Sequence, residues 1–253
     1  MAPISFNLIG IGPGDPKQVT VEAVEAMRAT DVFFLIEKGG PRDELAERRL
    51  EILAHHVPEG GYRVVRIAEQ QRPRSGPYLA GVESWRSARA RLLAQAIDRH
   101  LSPGQVGAIL VWGDPSLYDG ALAVLNEVVG MGVRLELRVI PGVSAPQALA
   151  ARHRITLTRT AGEVLFTTGR RLAEGRAGED PDLVVMLDGN ASFRSYPDRE
   201  SLLYWSAYLG LPGELSVAGP LAQVGEEVAA LRERARRERG WIMDTYLLRR
   251  ERG

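Results

Sequence analysis

Cysteine is absent from all 253 residues. That excludes disulfides, thiolate metal sites and cysteine nucleophiles outright, and it fits a reducing compartment. Net charge is missing as well. Lys+Arg and Asp+Glu number 32 each, so the chain as a whole exerts no pull toward nucleic acid or an anionic membrane. No run approaches the ~18 consecutive apolar residues of a membrane span. The opening MAPISFNLIGIGPGD has no basic leader, and its apolar run is short for a secretory segment. Histidine is scarce, with four in the chain, and no pair has metal-ligand spacing on a helix face. The expectation is a soluble, cytoplasmic chain without a metal site, a nucleic-acid partner or a membrane partner.

What is present is an ordinary globular composition, 45% apolar and 25% charged, enough for one large α/β unit or two modest domains. Ile4 to Ile11 reads as a buried strand stopped by turn residues, and Val19 to Met27 as a helix with Thr20 near its N-cap. Val32 to Ile36, Tyr62 to Ile67, Val106 to Trp112 and Arg134 to Ile140 read as further strands. Helices over Asp43–His55, Trp85–Leu101 and Asp119–Met131 alternate with them, and Gln70 to Gly81 reads as a loop. Such alternation indicates βαβ units and a parallel sheet.

Pro141-Gly142 marks the expected boundary, with domains over 1–140 and 141–253. Beyond it a helix over Ser144–Ala151 is followed by strands near Val164–Thr168, Leu183–Leu187, Leu203–Leu209 and Ile242–Leu248. One long helix, Val224 to Arg239, stands among them, and Ala173 to Pro181 reads as a surface loop. The fold class is therefore α/β in two domains. The first has a mostly parallel sheet with flanking helices, the second a mixed sheet with fewer helices. Arg232 to Arg239 reads as a solvated helix face, with Glu233 and Arg237 at i,i+4 spacing.

Three turns carry the functional signal. Gly10-Ile11-Gly12-Pro13-Gly14-Asp15 follows the first strand. Its third glycine arrives one residue early for a dinucleotide fingerprint, and Pro13 removes an amide that phosphate cradling would use. Gly113-Asp114-Pro115-Ser116-Leu117-Tyr118 follows the most apolar strand, and Pro141-Gly142-Val143-Ser144-Ala145 again joins strand to helix. Each alone is more often a tight turn than a site. Three at the carboxyl ends of parallel strands would meet on one edge of the sheet, where open α/β sheets bind ligands.

In order and separation, G-x-G-P-G-D-P, G-D-P-x-x-Y and P-G-V-S resemble the tetrapyrrole methylases, from Ile4 to about Leu248. Further segments resemble the deacetylating branch of that family: Val111 to Pro115, Arg152 to Ile155, Thr167 to Leu172, Met186 to Gly189 and Gly240 to Tyr246. The resemblance implies two α/β domains with S-adenosylmethionine between them, a homodimer, and a carboxylate-rich precorrin as substrate. It also implies cofactor contacts at Pro13, Trp112, Gly113, Asp114, Leu117, Tyr118, Ser144, Ala145, Leu187, Tyr208, Leu209 and Thr245.

The reaction so implied is methylation of precorrin-5 at C1 with hydrolytic loss of its acetyl group as acetate. Deacylation needs an activated water. Glu37, adjoined by Lys38, and Tyr118 are the catalytic candidates, and a solvated loop pair is the other reading of Glu37-Lys38. Arginines clamp carboxylates in bidentate fashion; Arg170 and Arg171 lead as substrate ligands, followed by Arg152 and Arg159. His153 reads as a substrate contact or as a packed, capping group. Other readings are a methylase of another tetrapyrrole, a diphthine-synthase-like methylase, or a nucleotide-binding module without catalysis.

Overall fold

The structure, a computed structural model, describes residues 3–37, 43–58, 60–68, 78–175 and 182–250. It divides into two compact units, Met1–Val143 and Ser144–Gly253.

The first unit is built on five strands: β1 (Ile4–Gly10), β2 (Val32–Glu37), β3 (Arg63–Ala68), β4 (Val106–Val111) and β5 (Leu135–Ile140). Their order is β3-β2-β4-β1-β5, and every pairing is parallel. Helices α1 (Val21–Arg28), α2 (Asp43–His56), α3 (Tyr78–His100) and α4 (Ala121–Gly130) connect them. Successive strand residues point to opposite faces, which explains why the strands read as continuous apolar runs. Phe6, Leu8, Phe34 and Ile109 enter a core with Leu93, Ile97, Val124 and Leu125 of α3 and α4. Ile9, Phe33, Ala108 and Leu110 enter another with Ala23, Met27, Ile52 and Leu53 of α1 and α2.

The second unit holds β6 (Val164–Thr168), β7 (Asp182–Met186), β8 (Leu202–Ala207), β9 (Leu215–Pro220) and β10 (Asp244–Arg249) in the order β6-β7-β10-β8-β9. Only β6 and β7 run parallel; the other pairs are antiparallel. Helices α5 (Ala145–His153), α6 (Gly169–Ala173) and α7 (Leu221–Arg239) accompany the sheet. α7 stops at Gly240, whose φ of 75° sets the left-handed cap.

The mixed α/β architecture expected from the sequence is present, with four local corrections. Tyr78–Gly81, expected in a loop, is the start of α3; residues 69–77 lie outside the described residues, as do 176–181 of the other expected loop. Strand β9 was not anticipated, because LSVAGP alternates between half-buried and exposed positions and has no apolar run. Two strands stop earlier than expected, β7 at Met186 and β8 at Ala207. In both, the next residue, Leu187 or Tyr208, turns to positive φ, 52° and 56°, which no strand accommodates.

Leu125→Ala, in the fully buried contact of α4 with the sheet, should cost about 2–5 kcal/mol. Gly130→Ala adds a methyl that meets no neighbour and should be neutral or stabilising by up to about 1 kcal/mol. Urea unfolding of the two variants checks both.

Candidate functional site

Strands β4, β1 and β5 lie side by side, and the backbone ties together the loops leaving their carboxyl ends. Gly113 N–H donates to Gly12 O (2.8 Å) and Gly12 N–H to Gly113 O (3.2 Å). A β-carbon on Gly10 would stand 2.7 Å from Gly142 N, 2.9 Å from Gly113 O and 2.9 Å from Pro115 Cδ. One on Gly142 would press still harder on Gly113 O and would meet Gly10 C at 2.8 Å. Glycine is thus required at both positions by close approach of backbone to backbone.

Asp114 fastens the second of these loops to the third. Its Oδ2 accepts the Gly142 N–H (2.9 Å), and its Oδ1 accepts the Ser116 N–H (2.8 Å) and the Ser116 hydroxyl. Burial pushes this carboxyl up, but the hydrogen bonds from Ser116 and Gly142 outweigh it and hold it below the usual carboxylate range. Thr20 caps α1 by accepting the Ala23 N–H (3.1 Å) and donates to Pro141 O (3.4 Å). Pro13 is buried in the first loop and Leu117 is half-buried in the second. Tyr118 follows at φ 54° with 43% of its surface exposed. Trp112 Nε1 is buried with no hydrogen-bond partner.

Glu37 ends β2 and is ion-paired to Arg66 of β3, which also reaches Glu47 at 3.0 Å. Its neighbour Lys38 lies outside the described residues.

In the second unit, Ser144 and Ala145 open α5. The Ser144 N–H and hydroxyl both donate to Gln147 Oε1, at 2.9 and 3.0 Å. Leu187 leaves β7 with 65% of its side-chain-bearing surface exposed, and the turn under it is anchored from below. Asp188 accepts from Asn190 N (3.0 Å), Ser192 N (2.6 Å), Ser192 Oγ (3.0 Å) and Tyr246 Oη (2.7 Å). Arg232 donates to Asp188 O and, at 2.9 Å, to Asp244, which also accepts Trp205 Nε1 at 2.8 Å. Burial pushes Asp244 above the usual carboxylate range, against the pull of Arg232. Burial and the neighbouring Asp188 likewise push Tyr246 well above the usual phenol range.

Arg232 is 4% exposed, which corrects its expected place on a solvated face. Glu233 and Arg237 do lie on the exposed side, 3.9 Å apart. A helix-wheel reading of an arginine-rich segment assigns every arginine to water, because the acceptors that bury Arg232 come from residues far away in sequence. Asp188, Tyr246 and Asp244 are residues the sequence reading left without a role. Their visible signals were the Met186-Leu187-Asp188-Gly189 segment and the segment Gly240 to Tyr246.

The other expected site residues are more fully engaged. Tyr208 Oη donates to Trp241 O (2.8 Å), and Leu209 is buried. Thr245 is buried with its hydroxyl donating to Val185 O (3.0 Å). Arg152 pairs with Glu214. Arg159 makes two 3.2 Å bonds to Asp182. Arg170 and Arg171 are exposed at the start of α6. His153 Nε2 lies 3.0 Å from Ser206 Oγ and 3.2 Å from Trp205 O, and burial lowers its pKa. Among the described residues no group of three His, Asp or Glu could hold a metal ion, and no helix is long and apolar enough to cross a membrane.

The family profile described as Tetrapyrrole (Corrin/Porphyrin) Methylases matches residues 5–225. A Sinorhizobium protein named precorrin-6A synthase [deacetylating] is 40% identical over 244 residues, covering 96% of this chain and 94% of its own. A cobalamin synthesis related protein (CobF) of Corynebacterium diphtheriae has a solved structure 32% identical, with a TM-score of 0.82 over 98% of this chain and 99% of its own. The uroporphyrin-III C-methyltransferase of Thermus thermophilus, solved with S-adenosylhomocysteine, shares the fold at 18% identity. Its TM-score is 0.60 over 96% of this chain and 91% of its own.

Gly142→Ala should destabilise by about 1–3 kcal/mol, the usual cost of overpacking a filled interior, seen as a lower urea midpoint at unchanged slope. Arg232→Met leaves Asp244 buried without its cation and should cost about 3–5 kcal/mol. Adding Asp244→Asn should restore a large part of that loss in a double-mutant cycle.

Proposed function

The chain belongs to the tetrapyrrole (corrin/porphyrin) methylases, and from that premise we propose that it is a deacetylating precorrin-6A synthase. It would methylate precorrin-5 at C1 with S-adenosylmethionine and release the acetyl group as acetate, in the synthesis of cobalamin. The observation that carries this reading is the 40% identity to the Sinorhizobium enzyme of that name along nearly the whole of both chains. A homodimer in the cytoplasm is part of the same proposal.

The residues fit the cofactor. In the first unit, the glycines of the interlocked loops remove β-carbons from the backbone, so that a ligand can approach it closely beside Leu117 and Tyr118. In the second, Leu187 is an apolar side chain held out at φ 52° with most of its surface uncovered, suited to pack on a flat apolar ring. Strain of this kind concentrates where ligands bind, and Tyr118, Leu187 and Tyr208 all have it, at φ 54°, 52° and 56°. With the Ser144 N–H and hydroxyl engaged by Gln147, the Ala145 amide is the group at the start of α5 left to meet a carboxylate. When bound, the cofactor supplies an electrophilic methyl group.

The chain's own work is then positioning and proton handling. Holding two large ligands in line can supply several kcal/mol of the barrier. The acetyl carbonyl needs an attacking water, and Glu37 and Tyr118 remain the proposed bases. Glu37 is ion-paired to Arg66 at the carboxyl end of β2, and Tyr118 stands with 43% of its surface exposed in the second loop. For the precorrin carboxylates, Arg170 and Arg171 stand first, because Arg152 and Arg159 already hold carboxylates of the chain itself.

The test is an anaerobic incubation of the protein with precorrin-5 and S-adenosylmethionine, followed by mass spectrometry for methylated product and released acetate. Both are expected. Methylation without acetate would remove the chain from the deacetylating branch, and neither product would contradict the proposal as a whole. Of Glu37→Gln and Tyr118→Phe, the one that removes the true base should lower acetate release roughly 10²–10⁴-fold.

A further inference from the structure

The sheet of the first unit opens at one place. β2 and β4 are neighbours, yet they pair only at Val32↔Gly107 and Phe33↔Ala108. β2 stays paired with β3 as far as Glu37↔Ala68, and β4 with β1 as far as Val111↔Gly10. From Phe34 and Ile109 onward the two strands therefore lack each other. The chain leaving β2 passes through α2 to β3 on one side; the chain leaving β4 passes through α4 to β5 on the other. Connections that diverge in this way mark the switch point at which open α/β sheets take their ligands, at the carboxyl ends of the strands.

Arg49 of α2 reaches into this gap. Val111 O faces β1, where it accepts the Ile11 N–H at 3.0 Å, so by alternation Leu110 O faces the side that β2 has left. Arg49 Nε donates to that carbonyl at 3.1 Å, and Nη1 donates to Leu45 O at 3.3 Å. The guanidinium carbon lies 5.5 Å from the centre of the Trp112 ring. Burial lowers Arg49 to about 10, with Asp119 raising it and Arg89 lowering it further; it remains a cation at neutral pH. Among the described residues no carboxylate lies within ion-pair distance of it, and Nη2 donates to none of them.

Arg49 is half-buried, and a cation held against a strand carbonyl inside the fold is ordinarily paired. A plug for Leu110 O alone would need one donor, whereas arginine brings five in a planar fork. Next to it Trp112 Nε1, also a donor, is buried without an acceptor. Two neighbouring groups with unused donors, at the carboxyl end of a switch point, are a site for an anion whose two oxygens can meet the fork.

We propose that Arg49, with Trp112 beside it, forms a subsite at the carboxyl end of the β2–β4 gap for one carboxylate of the substrate. This rests on the tetrapyrrole reading above and adds to it a binding residue that lies outside Arg170, Arg171, Arg152 and Arg159. The carboxylate of the cofactor's amino acid portion has the same chemistry, so the test separates the two sources.

The experiment measures, for each variant, the affinity for uroporphyrin, which carries eight carboxylates, by quenching of porphyrin fluorescence. Affinity for S-adenosylhomocysteine is measured in parallel by calorimetry. Arg49→Gln keeps a donor for Leu110 O and should weaken porphyrin binding roughly ten- to a hundredfold, the worth of one charge-assisted hydrogen bond. S-adenosylhomocysteine binding and the unfolding midpoint should hold. Arg49→Lys, which preserves the charge and the apolar stem, should recover part of the loss. Arg194→Gln, removing an exposed arginine paired with Glu226, should change neither affinity. Porphyrin binding unchanged in Arg49→Gln, or lowered equally by Arg194→Gln, would overturn the subsite. Loss of S-adenosylhomocysteine instead of porphyrin would give the arginine to the cofactor and overturn the substrate assignment. A parent protein that binds S-adenosylhomocysteine but no porphyrin would bring down the tetrapyrrole reading, and this subsite with it.

Discussion

Three stretches of backbone approach one another at the carboxyl edge of the parallel sheet more closely than any side chain would allow. Gly10 and Gly142 make this contact possible, and the paired bonds between Gly12 and Gly113 make it specific. Asp114 then converts close packing into a fixed arrangement, because one carboxylate holds the amides of two different loops. The loop edge so formed presents backbone together with the half-buried Leu117 and the exposed Tyr118. Its rigidity has a physical source in these hydrogen bonds, which also hold the Asp114 carboxyl below the usual carboxylate range.

The second unit solves a comparable problem by different means. Leu187 has to leave its strand in a left-handed conformation that costs a non-glycine residue about 1–3 kcal/mol. The cost is offset underneath, where Asp188 collects four hydrogen bonds and Arg232 crosses from α7 to hold the Asp188 carbonyl and the Asp244 carboxylate. Gly169 belongs to the same device, since a β-carbon there would collide with Asp188. Leu187 is thus an exposed apolar side chain on a strained turn over a hydrogen-bonded polar core.

Much of this was legible in the sequence, and the reasons differ from element to element. The glycine turns were legible because turn chemistry is local: strand, Gly-Pro-Gly-Asp and helix follow one another within about a dozen residues. The parallel sheet was legible because strands buried on both faces leave continuous apolar runs. The overrun of β7 and β8 was not avoidable from pattern alone, since leucine and tyrosine favour strands and nothing nearby announces positive φ. β9 is an edge strand whose pairing partner, β8, supplies the order that its own residues lack. Arg232 and Arg49 are the instructive cases. Each takes an acceptor from outside its own helix, Asp188 and Asp244 for the buried Arg232 and Leu110 O for the half-buried Arg49. Sequence spacing along one helix cannot encode those partners.

The central claim is that the interlocked loops at the carboxyl ends of β1, β4 and β5 are where the chain holds S-adenosylmethionine. Amide hydrogen exchange with and without S-adenosylhomocysteine tests it most directly. Protection should rise in residues 10–14, 112–118 and 141–145 and leave α3 and β3 unchanged. Binding that protects other segments and leaves these three loops exchanging as before would contradict the account.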